Sequence, residues 1–154
     1  MPLQAHINNK KQKDKTNMKI WKDAEGHAYE TKITVAEIRD VKTELGINLM
    51  DIATGDLLQK ISEDVILLCD ILYVINRVQA KEYGISDVQF GRNLYGDALE
   101  NATRAFMEEM INFFPNQRTR ALLTKAMTKG QERMDKALDM AEKELDKTLN
   151  EPIG

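Results

Sequence analysis

The chain has 154 residues, 42% apolar and 31% charged, with a formal net charge of −3, 8 Gly, 3 Pro and one Cys. The apolar share is that of a soluble globular protein, and a chain this long buries roughly 68–70% of its unfolded surface, enough for a core without staples. Collagen-like, disulfide-rich and wholly disordered classes are excluded, and the shortage of Gly and Pro predicts few turns and long helices.

Residues 1–17 hold Lys10, Lys11, Lys13 and Lys15 against Asp14, set among Gln, Asn and Thr. This reads as a solvated, disordered basic arm, and it lacks the apolar h-region of a secretory signal. Ile20 and Trp21 then precede Asp23-Ala24-Glu25-Gly26, after which Tyr29, Thr31 and Ile33 alternate with polar residues. The period of two predicts a short hairpin. Two strands are marginal alone, so Trp21 and Tyr29 are expected to pack on the helical body.

Thr34-Val35-Ala36-Glu37 is a capping box, and the apolar spacing from Val35 to Leu45 with Gly46 behind it predicts a helix over 35–45. Residues 47–52 read as one helical turn closed by Thr54-Gly55, and Asp56 is expected to cap another short turn. Ser62 is expected to cap the next helix, with Glu63 and Asp64 in its first turn. Apolar residues from Val65 to Val78 cover nearly its whole circumference, which marks a buried central helix or one that also meets a partner. It should end near Tyr83-Gly84, and Ser86 should cap a brief helix running to about Tyr95.

Leu99, Ala102, Phe106, Met110 and Phe113 form the apolar face of a further amphipathic helix, with Arg104, Glu108 and Asn112 outside, and Pro115 ends it. Asn116 can cap a last helix over about 117–149. There Met127, Met134, Ala141 and Thr148 recur every seven residues beside Gln131, Leu138 and Leu145, a narrow coiled-coil-like seam with charged flanks. The sequence therefore predicts a mainly α fold: a compact helical bundle with a short N-terminal β-hairpin and a long C-terminal helix. Its divisions are the arm at 1–17, the body at 18–126, and an extended helix and tail at 127–154. Past Gly130 the helix is expected to project from the body or to be ordered by a partner.

Few residues suggest chemistry. Cys69 has no partner for an internal disulfide, and among aliphatic neighbours it reads as a small core hydrophobe of an intracellular protein rather than a nucleophile. The apolar run around it is interrupted by Asp70 and falls short of the roughly 20 residues of a membrane span. Asp70 itself reads as a rim or hydrogen-bonded residue rather than a buried acid. His6 and His27 lie far from any Cys or carboxylate pattern, so neither a zinc nor a helical di-iron site is supported. Gly-rich phosphate loops and the nucleophile elbow are missing. Glu132 and Asp135 have the i, i+3 spacing of a magnesium-dependent helical pyrophosphohydrolase, with Glu108 and Glu109 upstream, but Glu109 is followed at i+3 by Asn112, so the second pair fails. No catalytic residue, metal or cofactor is expected. Residues 46–112 carry eleven acids against five bases, a surface that repels nucleic-acid phosphate. Nucleic-acid binding through Lys10 to Lys15, Arg118, Arg120 and Lys125 stays as an alternative.

The succession Ile33-Thr34-Val35, Gly46-Ile47-Asn48-Leu49, Asp56-Leu57-Leu58, Leu67 to Val74, Gln79, Gly84-Ile85-Ser86, Phe90, Gly96-Asp97-Ala98-Leu99 and Phe113-Phe114-Pro115 resembles the small helical tail assembly chaperones of tailed phages and prophages, over about residues 18–125. The resemblance implies a non-enzymatic protein of the host-cell cytoplasm. Such a protein would bind the helical, aggregation-prone tape measure protein and help tail tube protein polymerise around it. On this reading Leu68, Leu72, Phe106, Phe113 and Phe114 form the core, and Met127, Met134, Leu138 and Leu145 the exposed partner stripe, while Met107 and Met110 either lend adaptable packing to a groove or fill the core. The C-terminal helix could also join copies of the chain. The arm and the C-terminal extension lie outside the resemblance, which leaves a helical structural or adaptor subunit of a phage-like particle as a second alternative.

Overall fold

The computed structural model describes residues 19–150; the basic arm and residues 151–154 lie outside the described residues. Strands β1 (Ile20–Lys22) and β2 (Ala28–Glu30) pair antiparallel, with Trp21 opposite Tyr29. In each strand only the middle residue is buried, the alternation that period two dictates. The turn between them closes through Gly26 at φ 89°, a conformation that suits glycine.

Seven helices follow among the described residues: α1 (Val35–Leu45), α2 (Asp51–Thr54), α3 (Leu57–Glu63), α4 (Val65–Glu82), α5 (Asp87–Arg92), α6 (Asp97–Phe113) and α7 (Gln117–Asn150). The mainly α fold, the N-terminal hairpin and the long C-terminal helix are all present. The chain divides into two units at Pro115, rather than at residue 126, because Phe114 turns extended and Pro115 breaks the ladder.

Within the first unit α4 is the hub, with α1, α3, α5, α6 and β2 packed on it, while α6 also lies on β1. Its inner side buries Leu68, Ile71, Leu72, Ile75, Asn76 and Ala80, whereas Val65, Ile66 and Val78 are exposed. Leu68, Leu72, Phe106 and Phe114 are core residues as expected; Phe113 is only half-buried.

Local caps explain most helix boundaries. The Thr34 hydroxyl accepts from Ala36 N, and Glu37 Oε2 accepts from Thr34 N at 2.7 Å, completing the box. Gly46 ends α1 at φ 69°, its N–H bonded to the Lys42 carbonyl. Ser86 Oγ accepts from Gln89 N to open α5, which ends at Arg92 rather than near Tyr95. The N-terminus of α4 differs from the sequence expectation. Ser62 lies inside α3 with its hydroxyl donated back to the Leu58 carbonyl, and Asp64 is the cap, accepting from Ile66 N and Leu67 N at 3.0 Å. Burial of Leu57 and Ile61 carries α3 through Ser62 and leaves Asp64 as the first free capping group. Asp56 precedes α3, but its side chain makes no cap bond.

Candidate interaction surface

Two candidate regions remain once the core is set aside, a cleft in the first unit and the exposed face of α7. The cleft has a volume of about 490 Å³ and is lined by residues of α1, α4 and α5, among them Glu44, Cys69, Asp70, Tyr73, Arg77 and Val88. Cys69, Tyr73 and Arg77 share a wall because four-residue steps stack on one helix face. Arg77 is tied to Glu44 by an ion pair across α1 and α4, and that pairing raises the guanidinium's already high pKa. Burial, with Asp70 beside it, pushes the Cys69 thiol up, away from the thiolate a nucleophile needs. Asp70 is exposed, on the rim as expected. The one histidine of the described residues, His27, sits in the hairpin turn with Nδ1 2.9 Å from Asp23 Oδ2. Among the described residues no group of three or more His, Cys, Asp or Glu could hold a metal ion.

Asp23 is a structural centre that sequence reasoning passed over as a turn residue. Buried at 6% exposure, its carboxylate accepts from the Glu25 and His27 amides and from Asn93 Nδ2 at 3.2 Å. Ala24 N also donates to the Asn93 carbonyl at 2.8 Å, so two bonds join the hairpin turn to the end of α5. The sequence hint was Asp three residues before Gly, but the Asn93 partner lies too far along the chain to be inferred.

Glu108, expected to face outward, is half-buried with Oε2 lacking a hydrogen-bond partner. Burial raises its pKa; the nearby Arg104 charge opposes that shift and Glu109 adds to it. Met107 and Met110 are buried at 5% and 0% exposure, so they pack the core and cannot line a partner groove. Met110 follows the stripe of α6, and Met107 widens that stripe by one row.

The second region is α7. Asn116 opens it, with Oδ1 accepting from Arg118 N at 2.8 Å and the carbonyl from Arg120 N at 3.1 Å. Thr124 and Thr128 return their hydroxyls to carbonyls four residues back, which satisfies them within the helix. Every residue from Thr128 to Asn150 is exposed, while Met127 is half-buried. Met134, Leu138 and Leu145 keep 56–59% of their surface in water. Alternating three- and four-residue steps place Gln131, Met134, Leu138, Ala141, Leu145 and Thr148 in one row, so Met134, Leu138 and Leu145 of the expected stripe lie open, whereas Met127 is partly covered. Glu132 and Asp135 are exposed on the same helix. No helix of the described residues is long and apolar enough to cross a membrane. No protein-family model, curated protein sequence or solved structure matches the chain.

Proposed function

We propose that this protein is a non-enzymatic assembly factor that captures a helical partner along α7, in the manner of the tail assembly chaperones it resembles. The supporting observation is the open apolar seam of Met134, Leu138 and Leu145 on a helix exposed at every residue from Thr128 to Asn150. An isolated helix is marginal in water because nucleation is costly and propagation gains little per residue. A seam spaced for knobs-into-holes packing recovers that cost when a second helix covers it. The partner by resemblance is a tape measure protein, itself long and helical, and tail tube protein would polymerise around the pair.

Co-expression with a tape-measure-like product encoded beside this chain tests the reading. The expected result is a complex and a gain in that partner's solubility. Both should be lost when Met134→Asp, Leu138→Asp and Leu145→Asp are combined. Absence of a complex with the unmodified chain overturns the proposal. A stable presence in purified particles at symmetric copy number would instead make the protein a structural subunit.

A further inference from the structure

The edges of the α7 seam differ from the seam itself and from the helix back. Asp135 and Glu142 each follow a seam residue, Met134 and Ala141, and so lie along one edge; Glu144 precedes Leu145 and lies on the other. Glu132, Asp139 and Asp146 stand behind the first edge, Arg133, Met140 and Lys147 behind the second, and Lys129, Lys136 and Lys143 occupy the far face. All are exposed, and Asp135 accepts one bond, from Gln131 Nε2 at 3.0 Å. The two rows next to the apolar residues thus carry acids and no base.

That pattern argues against a second copy as the occupant. In a parallel pair, edge residues of one helix meet those of the next heptad on the other. Ala137 would then face Glu142, and Glu144 would face Leu149, with no opposite charges joined. In an antiparallel pair the edge of Asp135 and Glu142 would meet its own copy, a like-charge contact that suppresses pairing.

We propose that the α7 seam selects an amphipathic helix of another protein whose edges carry Lys or Arg, and disfavours pairing with itself. This rests on the reading of α7 as the partner-binding helix and adds the chemistry of the partner.

Two synthetic helical peptides of about four heptads, alike in their Leu and Ile seam but with Lys or Glu at the edges, test it against the full chain. Fluorescence anisotropy should show the Lys-edged peptide binding at least about tenfold tighter at low salt, with the gap closing as salt rises. Combining Asp135→Lys, Glu142→Lys and Glu144→Lys should reverse the order. The unmodified chain should sediment as a monomer. Equal binding of both peptides overturns the charge selection while leaving the helix-binding reading intact. Self-association that the Met134→Asp, Leu138→Asp and Leu145→Asp combination abolishes overturns the charge selection as well. Binding of neither peptide, with helical ellipticity unchanged, overturns both.

Discussion

Gln79 and Glu30 are joined by a reciprocal pair of hydrogen bonds: Glu30 N donates to Gln79 Oε1 at 2.7 Å, and Gln79 Nε2 donates to the Glu30 carbonyl at 2.8 Å. A side-chain amide on α4 therefore does for β2 what a third strand would do, satisfying both backbone groups of an edge residue. Tyr83, one turn further along, repeats the device by donating its hydroxyl to the Ala28 carbonyl at 2.7 Å. The hairpin is held to the helical unit along its free edge as well as through its buried aromatic rings.

Gln79→Ala removes both bonds and should lower stability by about 1–2 kcal/mol, since each neutral bond is worth about 1 kcal/mol net. Gln79→Glu should cost at least as much, because it deletes the donor and keeps only acceptors. Calorimetric melting of the two variants, with hydrogen exchange at the Glu30 amide, checks this. Unchanged exchange at Glu30 in both would show that the pair contributes nothing.

Tyr29 is fully buried, stacked on Trp21 at 4.7 Å and edge-on to Phe90 at 5.5 Å, yet its hydroxyl has no partner. Burial first, and then the charge of Asp23, raise its pKa from 10.0 to about 12. Tyr29→Phe keeps the ring contacts and removes an unsatisfied polar atom, so it should be neutral or stabilising by up to about 1 kcal/mol. The sign with pH is fixed. A phenol raised on folding favours the folded state below 10.0 and loses that contribution as pH climbs towards about 12. Ultraviolet titration of the 4 tyrosines should therefore show one that ionises late, and Tyr29→Phe should abolish that phase.

Thr34→Ala should cost about 1 kcal/mol through loss of the α1 cap. Burial alone would raise the Glu37 carboxyl, but hydrogen bonds from the Thr34 hydroxyl and backbone outweigh it, so the pKa falls below 4.5. A carboxyl lowered on folding contributes stability above its unfolded pKa and loses it as pH falls through the folded one. The difference between the wild type and Thr34→Ala should thus be full above pH 4.5 and shrink in more acid solution. Urea melts at neutral and acid pH measure it, and a gap that widens in acid would contradict the assignment.

Met110→Ala opens the core and should cost about 2–5 kcal/mol. Leu138→Ala, on a residue 59% exposed, should stay within about 0.5 kcal/mol. The same two variants separate packing from recognition when partner capture is assayed: Leu138→Ala should weaken the complex without lowering the melting temperature of the free chain. Equal losses of stability would place Leu138 in the core.

Much of the chain was legible because its determinants are local. The Thr34 and Glu37 box, the Gly46 stop and the Pro115 break each act within four residues, the distance over which a sequence window has force. Ser62, Glu63 and Asp64 show where that fails. Ser62 and Asp64 can both cap, and the choice was made by the burial of Leu57 and Ile61, which pulls Ser62 into α3. Gln79 was visible in the sequence but without a role, since its partner Glu30 lies 49 residues away. The same holds for Asp23 and Asn93, 70 residues apart. Met107 could be read as groove or as core because it stands one row off the stripe of α6, and only its burial at 5% exposure decides. The seam of α7, by contrast, was readable directly, since no tertiary contact had to be guessed for its spacing to emerge.

The chain has a single tryptophan, and the fold puts it at one joint. Trp21 Nε1 donates to Thr31 Oγ1 at 2.9 Å, and Thr31 in turn bonds Asn76 on α4. Tryptophan emission is therefore a gauge of the hairpin's seating, whereas far-ultraviolet ellipticity is weighted by the 34 residues of α7. With Leu123 its only buried residue, that helix should lose ellipticity at lower denaturant than is needed to shift the emission. The two optical curves will then part, and a single midpoint read from either would misstate what has unfolded.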